Sequence, residues 1–106
     1  MVKVVVVDKN CNKKSTALNY SREEFYKKCN YRNNNNFDLR HTWEFKEAGE
    51  TYYISLFAKN SGRANSENKY DLPPPLDNEL YFGSMIVIKH TGKIPKNNQV
   101  VDLEDK

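Results

Sequence analysis

The chain has little of what most specialised chemistry requires: among 106 residues there are two cysteines, two histidines, four glycines, four prolines and no long apolar run. Cys11 and Cys29 stand eighteen residues apart without a Cys-x-x-Cys spacing. That excludes a disulfide scaffold and reads as two free thiols in a reducing interior, with Cys29 packed as a small hydrophobe and Cys11 in a turn. Two histidines, with no His-x-His pair and no cysteine cluster, supply no metal-ligand spacing. So few glycines leave no phosphate-cradling loop. No stretch approaches the ~18 apolar residues of a membrane-spanning helix. The run Val4 to Val7 is too short for the apolar region of a signal peptide, so it reads as a strand in a protein retained by the cell that makes it. A net charge of +3 is too small for a polyanion-binding tail, and the length is that of one domain.

Bulk and polar side chains are what the sequence has. Hydrophobic residues make up 38%, yet five Phe, seven Tyr and one Trp give a small core enough volume. Fourteen Asn and thirteen Lys are the dominant polar types, a bias shared by proteins of AT-rich genomes.

Periodicity orders the chain. Val2 to Val7 predicts a first strand that turns at Asp8 to Asn12 and returns over Lys13 to Asn19. Ser21-Arg22-Glu23-Glu24 is a capping box, with acids in the first turn and Lys27-Lys28 in the last, and it predicts a short helix that buries Phe25, Tyr26 and Cys29 and ends at Asn30. Asn33 to Asn36 reads as a loop. Strict alternation from Phe37 predicts a strand with Phe37, Leu39, His41, Trp43 and Phe45 on one face. A turn at Glu47-Ala48-Gly49-Glu50 leads into Thr51 to Ala58, with Tyr52, Ile54, Leu56 and Ala58 opposed to Tyr53, Ser55 and Phe57. A last strand runs from Glu79 to His90, bulged at Gly83-Ser84. The order β-β-α-β-β-β predicts a two-layer α+β fold, an antiparallel sheet of four to five strands with one short helix on a face. Residues 1–90 form the expected globular domain, and 91–106 read as a polar C-terminal tail in which Val100, Val101 and Leu103 could dock.

Residues 59–77 form an unusually long connection, since loops beyond about 12–15 residues are uncommon in compact domains. The segment is dense in hydrogen-bonding side chains, and Pro73-Pro74-Pro75 stiffens its end into an extended path. It is read as a platform for a protein partner, with Arg63, Asn65, Lys69, Tyr70, Asp71, Pro73, Pro74 and Pro75 as contacts; the competing reading is a plain crossover. A second reading comes from charge. Residues 1–40 carry nine basic and four acidic side chains, +5, against −2 for the remainder. Lys13, Lys14, Arg22, Lys27, Lys28, Arg32 and Arg40, interleaved with Tyr20, Tyr26 and Tyr31, could bind single-stranded nucleic acid by phosphate attraction and base stacking; ordinary solvated charge around core tyrosines is the alternative. A third reading is a small enzyme using Cys29 or His41, although no flanking signature supports a nucleophile–base pair. No catalytic residue, metal ligand or cofactor is assigned.

Several of these segments resemble a known group of sequences. Tyr26-Lys27-Lys28-Cys29-Asn30-Tyr31, Arg40-His41-Thr42-Trp43, Tyr53-Ile54-Ser55-Leu56, Gly62-Arg63-Ala64-Asn65, Glu67-Asn68-Lys69-Tyr70-Asp71, Pro73-Pro74-Pro75 and Phe82-Gly83 are similar to a small, functionally uncharacterised protein family of nucleocytoplasmic large DNA viruses (giant viruses). The similarity spans residues 20–90, with Asn30 where that family would be expected to carry Gly. It implies a viral protein of the host cytoplasm, in the virus factory or the virion, and carries over no activity. The expected function is a non-catalytic binding module in a larger viral assembly, with nucleic-acid binding in viral transcription or replication as the alternative and no membrane partner.

Overall fold

Val2–Val7 (β1) is β-branched at five of its six positions, which favours extended backbone. The computed structural model, which describes residues 2–8, 10, 12–29, 37–62, 67–70 and 79–103, buries this strand on both sides. Val4 and Val6 join one apolar cluster, and Val5 and Val7 join another. Burial on both faces is the signature of a central strand. β1 accordingly lies between Lys13–Leu18 (β2) and Phe82–His90 (β5), and the sheet continues through Glu50–Lys59 (β4) to Phe37–Glu47 (β3). Every pairing is antiparallel. The fold is the expected α+β arrangement, a mostly-strand open sheet with one short helix.

That helix, Arg22–Lys28 (α1), begins where the capping box places it. Ser21 Oγ accepts the Glu24 amide hydrogen at 3.1 Å, with Glu23 and Glu24 in the first turn and Lys27 and Lys28 in the last. Seven residues cannot hold a helix in water, so packing must. Phe25 is 1% exposed and meets Tyr20 and Phe57 edge-on, while Tyr26 packs on Phe37. Cys29 is buried beside them, and Asn30 lies outside the described residues.

β3 departs from the alternation read in its sequence. The ladder with β4 pairs Leu39 with Phe57 and then His41 with Leu56, so Arg40 is an extra, bulged residue. Phe37 and Leu39 therefore belong to the helix-side cluster with Phe57, whereas His41 and Trp43 share the opposite face with Leu56 and Ile54. The five residues expected on one face are split by the bulge. The Arg40 guanidinium fixes it, Nε donating to Ala58 O at 3.0 Å. β4 keeps its expected alternation, and the register of β5 slips at Gly83, whose φ is +70°. The β3–β4 hairpin closes through Ala48 and Gly49 with φ of +52° and +81°, a two-residue turn with both central residues left-handed.

Of the segment read as a polar tail, residues 100–103 fold back onto the sheet. Val100–Val101 (β6) pairs with Lys89 and His90, in line with β1 along the same side of β5. Leu103 N donates to Lys3 O at 2.9 Å, and Asp102 Oδ1 accepts from Lys3 N at 2.8 Å. Val100 is buried in the helix-side cluster and Leu103 packs on the other. Three apolar side chains suffice because backbone pairing supplies the rest. Val100→Ala is expected to cost roughly 2 kcal/mol in denaturant unfolding, where a loose tail would give no change. Ala48→Asn, which gives the turn its favoured Asn-Gly pair, is expected to raise stability by about 0.5–1 kcal/mol in the same measurement.

Candidate binding surface

The long connection between β4 and β5 is tied to the centre of the sheet by one side chain. Asn68 is 9% exposed, and its Nδ2 donates to Val7 O at 3.2 Å, Asp8 O at 3.0 Å and Gly83 O at 2.8 Å. Two amide hydrogens serve three carbonyls, so at least one bond is shared. Asn68 Oδ1 accepts from Tyr70 N at 3.0 Å, and Asn68 N donates to Tyr81 O at 2.8 Å. Both ends of the amide, together with the backbone, are thus used to dock the loop where β1 ends and β5 bulges. Burying a polar side chain this deeply is tolerable only because its groups are all paired.

Around that clamp the loop residues divide in role. Tyr70 turns inward, half-buried against the cluster of Val5, Val7, Leu56, Ala58, Tyr81 and Met85, with Lys13 Nζ 5.9 Å from its ring centre. Lys69 stays outside and pairs with Glu67 at 2.7 Å. Of the eight residues expected to contact a partner, only Lys69 and Tyr70 are placed; Arg63, Asn65, Asp71, Pro73, Pro74 and Pro75 lie outside the described residues. The anchoring residue, Asn68, carried no signal of its own, being one asparagine among fourteen.

The basic face anticipated in the first part of the chain is divided by the sheet. Register places Lys14 opposite Val6, on the helix side, and Lys13 opposite Val7, on the other side. Lys27 and Lys28 are exposed on the helix, Arg40 is engaged at the bulge, and the Arg22 side chain, Tyr31 and Arg32 lie outside the described residues. Of the tyrosines offered as stacking platforms, Tyr20 and Tyr26 are half-buried against the helix-side cluster. Tyr20 packs edge-on against Phe25 and Phe57 with its hydroxyl donating to Pro95 O, and Tyr26 packs on Phe37.

Another group of half-exposed aromatic rings lies on the sheet face away from the helix. His41 and Trp43 lie 5.8 Å apart, and Phe45 and Tyr52 lie 5.9 Å apart. Lys89 Nζ sits 4.3 Å from the Tyr52 ring centre and pairs with Glu47 at 2.9 Å. Among the described residues no helix covers this face; Tyr70, Tyr81 and Leu103 pack on part of it.

Among the described residues, Cys29 and His90 are buried in the core. Burial pushes the Cys29 thiol up to about 12, against a smaller opposite pull from Lys28, so it is not a thiolate near neutrality. Cys29 sits in the helix-side cluster and His41 pairs with Leu56 on the far face, so the sheet separates the two residues of the enzymatic reading. A polar chain that the sequence did not reveal runs through the core instead. His90 is fully buried, its Nδ1 is 2.6 Å from Gly92 O, and its Nε2 is 2.7 Å from Ser55 Oγ, which lies 2.7 Å from Thr42 Oγ1. The Gly92 carbonyl can only accept, so Nδ1 carries the proton, Nε2 accepts from Ser55, and Ser55 accepts from Thr42. Tyr53 stacks on the ring at 5.7 Å. A Cβ at position 92 would lie 2.5 Å from Oε1 of Gln99, the far end of a flexible side chain that can move aside. Only the alternating parity of Thr42, Ser55 and His90 on neighbouring strands could have hinted at this chain.

Among the described residues no group of three metal-ligating side chains converges, and no helix is long and apolar enough to cross a membrane. No protein family matches this chain, and no match is found among curated proteins or solved structures.

Burial lowers the His90 pKa below its ordinary 6.5, outweighing the Gly92 bond, which acts the other way. The unfolded chain therefore takes up a proton near pH 6.5 that the fold resists. Stability is complete above that pH and falls as pH drops towards the folded value. Urea unfolding at pH 7.5 and 5.5 is expected to show this loss in the native protein, and a smaller one in His90→Gln.

Proposed function

We propose that the protein is a non-catalytic binding module of a large DNA virus, presenting its 59–77 loop to a protein partner within a larger viral assembly in the host cytoplasm or the virion. The observation that carries this reading is the Asn68 clamp: residues 67–70 are fixed to the carbonyls of Val7, Asp8 and Gly83 before any partner arrives. A segment ordered in advance loses less conformational freedom on binding, so more of its contact energy appears as affinity. Lys69 projects from the anchored stretch, its side chain 72% exposed and paired with Glu67. The viral setting rests on the similarity of residues 20–90 to the giant-virus family and on the Asn and Lys bias. The burial of Cys29, Ser55 and His90 in structural roles supports binding rather than chemistry.

The test is affinity capture from infected cells with the full chain, Asn68→Ala and Lys69→Glu as baits. Asn68→Ala removes the donors to three carbonyls and is expected to cost about 1–3 kcal/mol, so its fold is checked by circular dichroism. The native chain is expected to retain a specific protein that both variants lose. Equal retention by all three baits, or no protein partner alongside salt-steep binding of single-stranded nucleic acid, would overturn the reading.

A further inference from the structure

His90 is fully buried where β5 meets the C-terminal return. Val100 of β6 pairs directly with it, which sets the two side chains on the same face. The turn that links them supplies Gly92 O to Nδ1. β4 supplies the other walls, with Tyr53 stacked on the ring and Ser55 at Nε2.

A second proton would make both ring nitrogens donors. The hydroxyls can adapt to that without moving a heavy atom. Ser55 turns its hydrogen from Nε2 to Thr42 Oγ1, and the half-buried Thr42 turns its own away from Ser55. Gly92 O accepts from Nδ1 in either form. The charged ring would therefore lack water rather than hydrogen-bond partners, and water enters where the cover is weakest. β4 holds β5 along a ladder from Tyr53–His90 to Lys59–Phe82. β6 holds it at two positions, aided by Leu103 N on Lys3 O, Thr91 N on Gln99 O and the Tyr20 hydroxyl on Pro95 O. The surrounding charged groups are engaged elsewhere or exposed. Glu44 accepts from the Tyr53 hydroxyl, Lys89 pairs with Glu47, Asp102 accepts from Lys3 N, and Lys93 and Lys96 are exposed on the turn.

We propose that His90 is a pH-sensitive latch on the C-terminal return. When the ring takes up a proton, residues 91–103 lift from the sheet and bare the β5 edge at Lys89 and His90, with the seats of Val100 and Leu103. An opening that returns the ring to its ordinary pKa of 6.5 is favoured up to about tenfold more at pH 5.5 than at pH 7.5. Carboxylates ordinarily titrate below that window.

Amide hydrogen exchange of the full chain at both pH values, corrected for intrinsic rates, reads the opening. Thr91 and Leu103 amides report the return, and the central amides of β1 report the whole molecule. Thr91 and Leu103 are expected to be less protected than β1, with an opening constant that rises severalfold, up to about tenfold, from pH 7.5 to 5.5. His90→Gln is expected to abolish the rise and His41→Gln to keep it. The chain has two histidines, so the His41→Gln result assigns the rise to His90 even where His90→Gln does not fold. Protection of Thr91 and Leu103 equal to that of β1 at both pH values, an opening independent of pH, or loss of the rise in His41→Gln would contradict the latch.

Discussion

The amide of Asn68 is the junction on which the molecule depends. It joins the end of β1, where Val7 O and Asp8 O accept from it, the bulge of β5, where Gly83 O accepts, and the turn into Tyr70, whose backbone N–H donates to its Oδ1. An unpaired buried carbonyl costs on the order of 1–3 kcal/mol, so several satisfied by one side chain make the loop part of the fold. Tyr70 and Tyr81 then cover the sheet face that has no helix, next to Val5, Val7 and Met85. The loop that gives the protein its proposed surface also completes one of its two apolar clusters.

The same economy governs the C-terminal return. His90 ends β5 fully buried, its ring bonded to Gly92 on one side and Ser55 on the other. The turn held by Gly92 carries the chain through the short 3-10 turn at Asn97–Gln99 into β6, where Thr91 N donates to Gln99 O. With one seven-residue helix to cover the sheet, the protein relies on such side-chain-to-backbone bonds at its margins and on valines at its centre.

How far the sequence foretold this differs from element to element. The helix start was legible because Ser21 and Glu24 stand at the spacing that capping requires, and β1 because an unbroken valine run has little other use. The bulge at Arg40 was invisible because apolar residues occupy every second position on both sides of it. Both sheet faces bury side chains there, so a change of face leaves no break in the pattern. The return of Val100 to Leu103 was hidden by polar composition, since its stability comes largely from backbone pairing with Lys3, Lys89 and His90. The loop stood out by its length and prolines, but Asn68 was not distinguishable from the other asparagines. The separation of Lys13 from Lys14, and the turn of Tyr20 and Tyr26 into the core, follow from register and packing that charge counting does not contain.

Amide hydrogen exchange resolved to single residues measures the anchored loop most directly. The backbone N–H of Asn68, bonded to Tyr81 O, and that of Tyr70, bonded to Asn68 Oδ1, should exchange as slowly as the neighbouring β5 amides in the free protein. Exchange of both at the rate of unstructured peptide would contradict a loop fixed before its partner binds.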